Sequence, residues 1–383
     1  MTDGMRFETR AIHSGQDPDS ATGAAVVPIY QTSTFVQDAV GAPRGFEYAR
    51  TDNPTRHALE TCMAALDDAS HGIAFGSGMA ALATLGMTLT TGDRVLIPDD
   101  VYGGTYRLFD KVFAGLGIEY QAVDMTDVDA IQQALDGGAA LVIIETPSNP
   151  LLKVCDIARI SQLAHSVGAK LLVDNTFATP FLQQPLELGA DAVWYSATKY
   201  LGGHSDLVAG VITTSDEELA SRLRFLQNAA GAIPGPFDCW LLLRGLKTLG
   251  IRMRAHSANA DRVAMWLAQR DDIVKVYFPG LPQHLGHDLA AKQMAASGEP
   301  LYGGMVSFEL ASEERALEVC ARTKLFFLGE SLGGVESLIE HPHQMTHASL
   351  AGSGMEVSPG LIRLSVGIEH PDDLIADLER ALS

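Results

Sequence analysis

Tyr195–Asp206, the stretch around which the chain is organised, reads Y-S-A-T-K-Y-L-G-G-H-S-D. It follows an apolar run, Ala190, Ala192, Val193 and Trp194, of the kind that forms a buried strand. Lys199 stands three residues after Ser196 and one after Thr198, and Gly202 and Gly203 follow it. A lysine flanked by hydroxyls just past a strand end is placed to act as an amine nucleophile beside an anion site. Taken alone, the stretch reads more simply as a surface lysine in a Ser/Gly loop, because lysines are mostly exposed. The rest of the chain has to decide.

Working outward, residues 72–214 carry a regular pattern. Apolar runs recur at Ile73–Phe75, Arg94–Ile97, Ile118–Ala122, Leu141–Ile144, Lys170–Val173, Asp191–Tyr195 and Leu207–Ile212. Helix-like stretches such as Met79–Leu89 and Ile157–Val167 separate most of them. Largely apolar strands alternating with helices predict an α/β domain with a mostly parallel, seven-stranded sheet covered on both faces. Polar or glycine-rich segments follow the strands: G-S-G-M after Phe75, P-D-D-V-Y-G-G after Ile97, E-T-P-S-N-P after Ile144, D-N-T-F after Val173 and S-A-T-K after Tyr195. They gather at the carboxyl ends of the strands, where open α/β sheets bind ligands.

The flanks read differently. Residues 1–60 show little periodicity and predict an extended arm, a length of irregular chain that is often functional. Within it, Tyr48 and Arg50 are two apart and share a direction if the segment is extended. Beyond Gly231–Phe237 a helical pattern runs from Asp238 to about Gln269 as one long helix. Strands at Met305–Leu310 and Leu361–Val366 and a closing helix at Pro371–Leu382 predict a smaller C-terminal α+β domain. The expected division is an arm at 1–60, an α/β domain at 61–249 and the C-terminal domain at 250–383.

With 383 residues, two domains or a large domain with an appendage are expected. A formal charge of −20 disfavours nucleic acid and anionic membrane as partners. No apolar run reaches transmembrane length and the start lacks a signal-peptide layout, so the cytoplasm is the expected location. The four cysteines are scattered, which disfavours disulfides and zinc. His341, His343 and His347 are interrupted by Pro342 and lack acidic or cysteine companions, so no metal site is expected.

Several residues on the rim can carry chemistry. Gly76–Met79 joins a strand to a helix start, where unpaired N–H groups suit a phosphate and Gly78 allows close approach. The dinucleotide fingerprint G-x-G-x-x-G is absent, since Ala81 stands three residues after Gly78; this argues against a nicotinamide dehydrogenase. Asp174 either caps the next helix or pairs with a cation. Tyr102 is a rim aromatic or stacks on a planar ring, and Asn149 by itself suits a turn. Arg363 lies inside the apolar strand L-I-R-L-S-V, where a charge is costly without an anionic partner. A phosphate cradle, an aromatic, an aspartate, an asparagine and a lysine are together the parts that pyridoxal 5′-phosphate requires.

These segments resemble the Cys/Met-metabolism family of pyridoxal-phosphate enzymes, which includes cystathionine γ-lyase, cystathionine γ-synthase and methionine γ-lyase. The resemblance covers nearly the whole chain, through P-I-Y-Q-T-S-T-F (28–35), F-E-Y-A-R-T-D-N-P-T-R (46–56), G-S-G-M-A-A (76–81), E-T-P-S-N-P (145–150), S-A-T-K-Y-L-G-G-H-S-D (196–206) and E-S-L-G-G-V-E-S-L (330–338). It implies the aspartate-aminotransferase-like type I fold and a homotetramer of tight dimers. Lys199 would be the Schiff-base lysine, Asp174 the partner of the pyridine nitrogen, and Tyr102 the ring-stacking and proton-transferring residue. Gly78 and Met79 amides with Ser196 and Thr198 hydroxyls would hold the phosphate, joined by Tyr48 and Arg50 from the neighbouring subunit. Arg363, Asn149 and Ser331 would grip the substrate carboxylate, with Glu330 and Arg107 at the distal end of cystathionine.

The implied reaction is γ-elimination from cystathionine or methionine to give 2-oxobutyrate, ammonia and a thiol, with Lys199 moving protons. The alternative is γ-replacement of O-acylhomoserine by cysteine, and outside catalysis a cofactor- or metabolite-binding protein on the same fold. Methionine γ-lyases often carry cysteine where Gly104 stands, which leans toward a cystathionine enzyme. Tyr195 and Gly329 depart from the histidine and alanine common at their positions.

Overall fold

The structure, a computed structural model, describes residues 4–347 and 357–383. Seven strands form the first sheet: β1 (His71–Phe75), β2 (Arg94–Pro98), β3 (Glu119–Val123), β4 (Leu141–Glu145), β5 (Lys170–Asp174), β6 (Ala192–Ser196) and β7 (Gly210–Thr214). Their order is β1-β7-β6-β5-β4-β2-β3. Only β7 runs antiparallel to its neighbours. Side chains alternate across the sheet, so Trp194 packs into a core on one face while Val193 and Tyr195 pack on the other. Both faces are apolar and both are covered by helices, as the unbroken apolar runs require.

A second sheet is built from β8 (Lys275–Tyr277), β9 (Met305–Glu309), β10 (Phe327–Leu328), β11 (Leu338–Glu340) and β12 (Leu361–Ser365), ordered β10-β11-β12-β9-β8. The helix Pro371–Leu382 closes it, with Leu374, Leu378 and Leu382 in the second sheet's core. Every strand expected from the sequence is present, and the fold is the type I architecture. Among the described residues no helix is long and apolar enough to cross a membrane.

Three expectations need correction. The single helix over Asp238–Gln269 is two, Pro236–Leu246 and Leu249–Leu267. Arg252 explains the break: its buried guanidinium donates to Gly245 O at 2.8 Å and Tyr200 O at 2.6 Å, and its Nε to Thr248 Oγ1 at 3.1 Å. It thereby caps the first helix and ties it to the loop after Lys199. Residues 1–60 are not irregular throughout, because helices cover Phe7–His13 and Pro54–Leu66. Asn53 caps the latter, accepting from Thr55 N and Arg56 N, with Pro54 in the first turn. The seventh strand begins at Gly210 rather than Leu207, because Ala209 is engaged by Thr198: its N–H donates to Thr198 Oγ1 and its carbonyl accepts from Thr198 N.

Candidate active site

A cavity of about 330 Å³ opens at the carboxyl ends of the parallel strands. Eleven of the residues expected at the site line it: Gly78, Met79, Tyr102, Asn149, Asp174, Ser196, Thr198, Lys199, Glu330, Ser331 and Arg363. A larger cavity of about 830 Å³, between Lys153 and Lys275, contains none of them.

One wall is the start of the helix Gly78–Gly86. Ser77 caps it, its Oγ accepting from Ala80 N, while the first-turn N–H groups of Gly78 and Met79 lie outside the helical ladder. Ser196 and Thr198 stand beside them across β6, and Trp194 Nε1 donates to Gly78 O at 2.8 Å, locking helix to strand. A Cβ at Gly78 would lie 3.0 Å from Ser196 Cα, so a side chain there would crowd this cradle. Backbone N–H groups, two hydroxyls and a positive helix end are the donor set a phosphate needs.

Lys199 Nζ donates to Ser331 Oγ at 2.7 Å. Burial, then the nearby Arg363 charge, brings its pKa down to about 8, so a useful fraction is neutral amine near neutral pH. Ser331 holds φ at +103°, an unusual conformation for a serine and one that persists where the surroundings impose it. Its carbonyl accepts from Arg363 Nη2 at 2.9 Å while its hydroxyl meets the lysine.

The floor carries two carboxyls. Glu145 and Asp174 are register partners at the ends of β4 and β5, and both line the cavity. Burial raises Asp174 to about 6; burial, Asp174 and Asp100 raise Glu145 well above the carboxylate range. Asp174 Oδ1 accepts from Thr176 N at 2.9 Å, a local turn rather than a cap on the helix Thr179–Leu182, whose N-terminus has no side-chain cap. Among the described residues no lysine or arginine pairs with Asp174, and a buried carboxyl left unpaired at a cavity wall fits a ligand that brings its own cation, such as a pyridinium N–H. The site therefore fits pyridoxal 5′-phosphate: Lys199 for its aldehyde, Asp174 for its ring nitrogen, and the cradle for its phosphate.

At the other end, Arg363 projects from β12. It donates to Asn149 Oδ1 at 2.7 Å and is paired with Glu340 at 2.9 Å, the anionic side chain that a charge inside an apolar strand requires. Asn149 lies in the loop E-T-P-S-N-P, which has cis peptides at Thr146–Pro147 and Asn149–Pro150. Tyr102 lies at the start of the helix Gly103–Leu108. A Cβ at Gly104 would lie 2.4 Å from Tyr102 Cε1, so this ring position needs glycine there.

Three expected residues are not brought into the cavity of their own chain. Arg107 is exposed on the helix Gly103–Leu108. Tyr48 is 44% exposed, and Arg50 donates to Asn228 O at 2.8 Å. Conversely, Glu145, Thr176, Phe177 and Thr346 line the cavity without having been singled out. For Glu145 the signal was available: it is the first residue after an apolar run, as Asp174 is.

Fold and site together define a type I pyridoxal-phosphate enzyme. The chain belongs to the Cys/Met metabolism PLP-dependent enzyme family, whose pattern it matches over residues 8–383. It is 56% identical over 377 residues to a cystathionine gamma-synthase of Mycobacterium tuberculosis, covering 98% of this chain and 96% of the relative. It is 52% identical to a cystathionine beta-lyase of Lactococcus lactis, covering 98% of each. The structure of metB from Corynebacterium glutamicum superposes with a TM-score of 0.97 at 48% identity, covering 100% of this chain and 99% of that one.

Proposed function

We propose that this enzyme works at the γ-carbon of a four-carbon amino acid, replacing the acyloxy group of an O-acylhomoserine, which leaves as a carboxylate, with the thiol sulfur of cysteine to form cystathionine. The observation that carries the reading is the presence of Arg363 and Glu330 in one cavity with Lys199. A guanidinium suits one carboxylate, and a separate carboxylate suits the ammonium of a second amino-acid unit. Cystathionine has both ends. The cystathionine gamma-synthase relative favours replacement over the elimination expected from the sequence, and Gly104 under the Tyr102 ring argues against a methionine γ-lyase.

When bound, pyridoxal phosphate supplies an electron sink for negative charge developing at the substrate Cα. Lys199, partly neutral and held by Ser331 Oγ, is the base for the Cα proton and carries protons between successive carbons. Asp174 holds the ring nitrogen's positive charge. Tyr102 is the acid beside the leaving group. Arg363 and Asn149 fix the substrate carboxylate, which orients the Cα–H bond. Tyr48 and Arg50 complete the phosphate cradle of a neighbouring copy, in a homotetramer of dimers.

Elimination uses the same groups and differs only in what attacks last, so products separate the readings. Incubation with O-acylhomoserine and cysteine is expected to yield cystathionine. Cystathionine supplied alone reports elimination: 2-oxobutyrate and cysteine from the γ-carbon, pyruvate and homocysteine from the β-carbon. Absence of cystathionine synthesis, with rapid release of either keto acid, would overturn the synthase reading.

A further inference from the structure

Arg363 is 3% exposed and its register partner across β11 and β12 is Glu340, 1% exposed. The pair belongs to a closed ring of polar contacts. Thr346 Oγ1 donates to Glu340 Oε1 at 2.8 Å and lies 2.9 Å from His347 Nδ1. His347 Nε2 meets Asn149 O at 3.2 Å, and Asn149 Oδ1 accepts from Arg363 Nη1. From this ring the Ser331 carbonyl and hydroxyl lead to Lys199.

One link is imperfect. Glu340 Oε2 approaches Arg363 Nη2 to 2.9 Å, yet among the described residues neither Glu340 Oε2 nor Arg363 Nε has a hydrogen-bond partner, although both are buried. The charges are balanced while directional bonding is left open. An aligned, bidentate pair would hold the guanidinium fast and leave it little to offer an incoming carboxylate. An arginine with no counter-ion would be costly to bury and would place an uncompensated cation beside the lysine amine.

We propose that Glu340 is the resident counter-ion of Arg363, a positioning residue that neutralises the guanidinium between turnovers and shares it with the substrate carboxylate during them. The proposal rests on the reading of Arg363 as the carboxylate-binding group. Since an arriving carboxylate meets Glu340 as a like charge, Glu340 weakens carboxylate binding and favours product release. It also fixes the guanidinium plane through the ring of contacts, which serves orientation and hence turnover.

The test is binding of butanoate, a carboxylate without an amine, to the holoenzyme by calorimetry, alongside steady-state kinetics. Glu340→Gln is expected to tighten butanoate by roughly 3- to 10-fold, as removal of one nearby like charge does, and to lower KM and kcat together. Glu340→Asp, which keeps the charge, should return the dissociation constant toward the parent value. Unchanged or weaker butanoate binding in Glu340→Gln overturns the proposal. If that variant does not fold, Thr346→Val takes its place: without the hydroxyl the carboxylate is less well held as an anion, and butanoate should tighten by about 2-fold, with unchanged or weaker binding again overturning the idea. Arg363→Ala separates the two layers. If it leaves butanoate binding intact, the role of Arg363 itself is wrong; if it abolishes binding while Glu340→Gln has no effect, only the counter-ion is.

Discussion

At the scale of single residues, Tyr195 shows what sequence reasoning missed. It departs from the histidine common at its position, and no local pattern gave it a role. In the structure its ring is buried and its hydroxyl donates to Asp67 Oδ1 at 2.6 Å while accepting from Asn175 Nδ2 at 3.0 Å. Thr213 Oγ1 donates to the other oxygen of Asp67 at 2.6 Å. A phenol thus ties the residue after Asp174 to the end of the helix Pro54–Leu66, a contact 128 positions apart in the chain that no window of sequence contains. Burial raises the Asp67 carboxyl from 3.8 to about 7 despite both donors. A carboxyl whose folded pKa lies above its unfolded one stabilises most fully below the unfolded value and loses that contribution as pH rises through the folded value. Urea unfolding of the parent and Asp67→Asn at a series of pH values is therefore expected to show the parent's relative stability falling from about pH 4 to about pH 7. A difference independent of pH would contradict a buried, proton-holding Asp67.

At the scale of elements, the strands were legible because buried parallel strands are almost uniformly apolar, and each ends at a polar turn. Helix boundaries were less so. Asn53-Pro54 is a plain start signal, but it sits inside an irregular segment, and Arg252 breaks the long helix by bonding to carbonyls from the lysine loop, 51 and 52 positions away. The arm before Asn53 raises a separate matter. Tyr48 and Arg50 sit outside their own cavity, with Val36 and Val40 almost wholly exposed on the same segment, as an arm reaching a neighbouring copy requires. Lys199→Ala and Arg50→Ala variants, each inactive or nearly so alone, are expected to regain activity when dissociated and reassembled together, because a mixed dimer contains one site with both residues intact. No recovery in verified mixed oligomers would contradict a site shared between subunits.

At the scale of the whole molecule, a chain of net charge −20 can hold an anionic cofactor, and the substrate carboxylate proposed for it, only through local arrangements. Helix start, hydroxyls, Lys199 and Arg363 supply them within one cavity at the strand ends. The phosphate cradle, the lysine and the aspartate follow strands directly, so the sequence pointed to them. Glu340 became legible only through pairing, since it acquires its meaning from Arg363, opposite it on the next strand. The account turns on Lys199 as the residue that bonds to the cofactor. Borohydride reduction of the holoenzyme, proteolysis and peptide mapping by mass spectrometry test it most directly. The account predicts a single modified peptide with pyridoxyl phosphate on Lys199; modification of any other lysine in its place would contradict it.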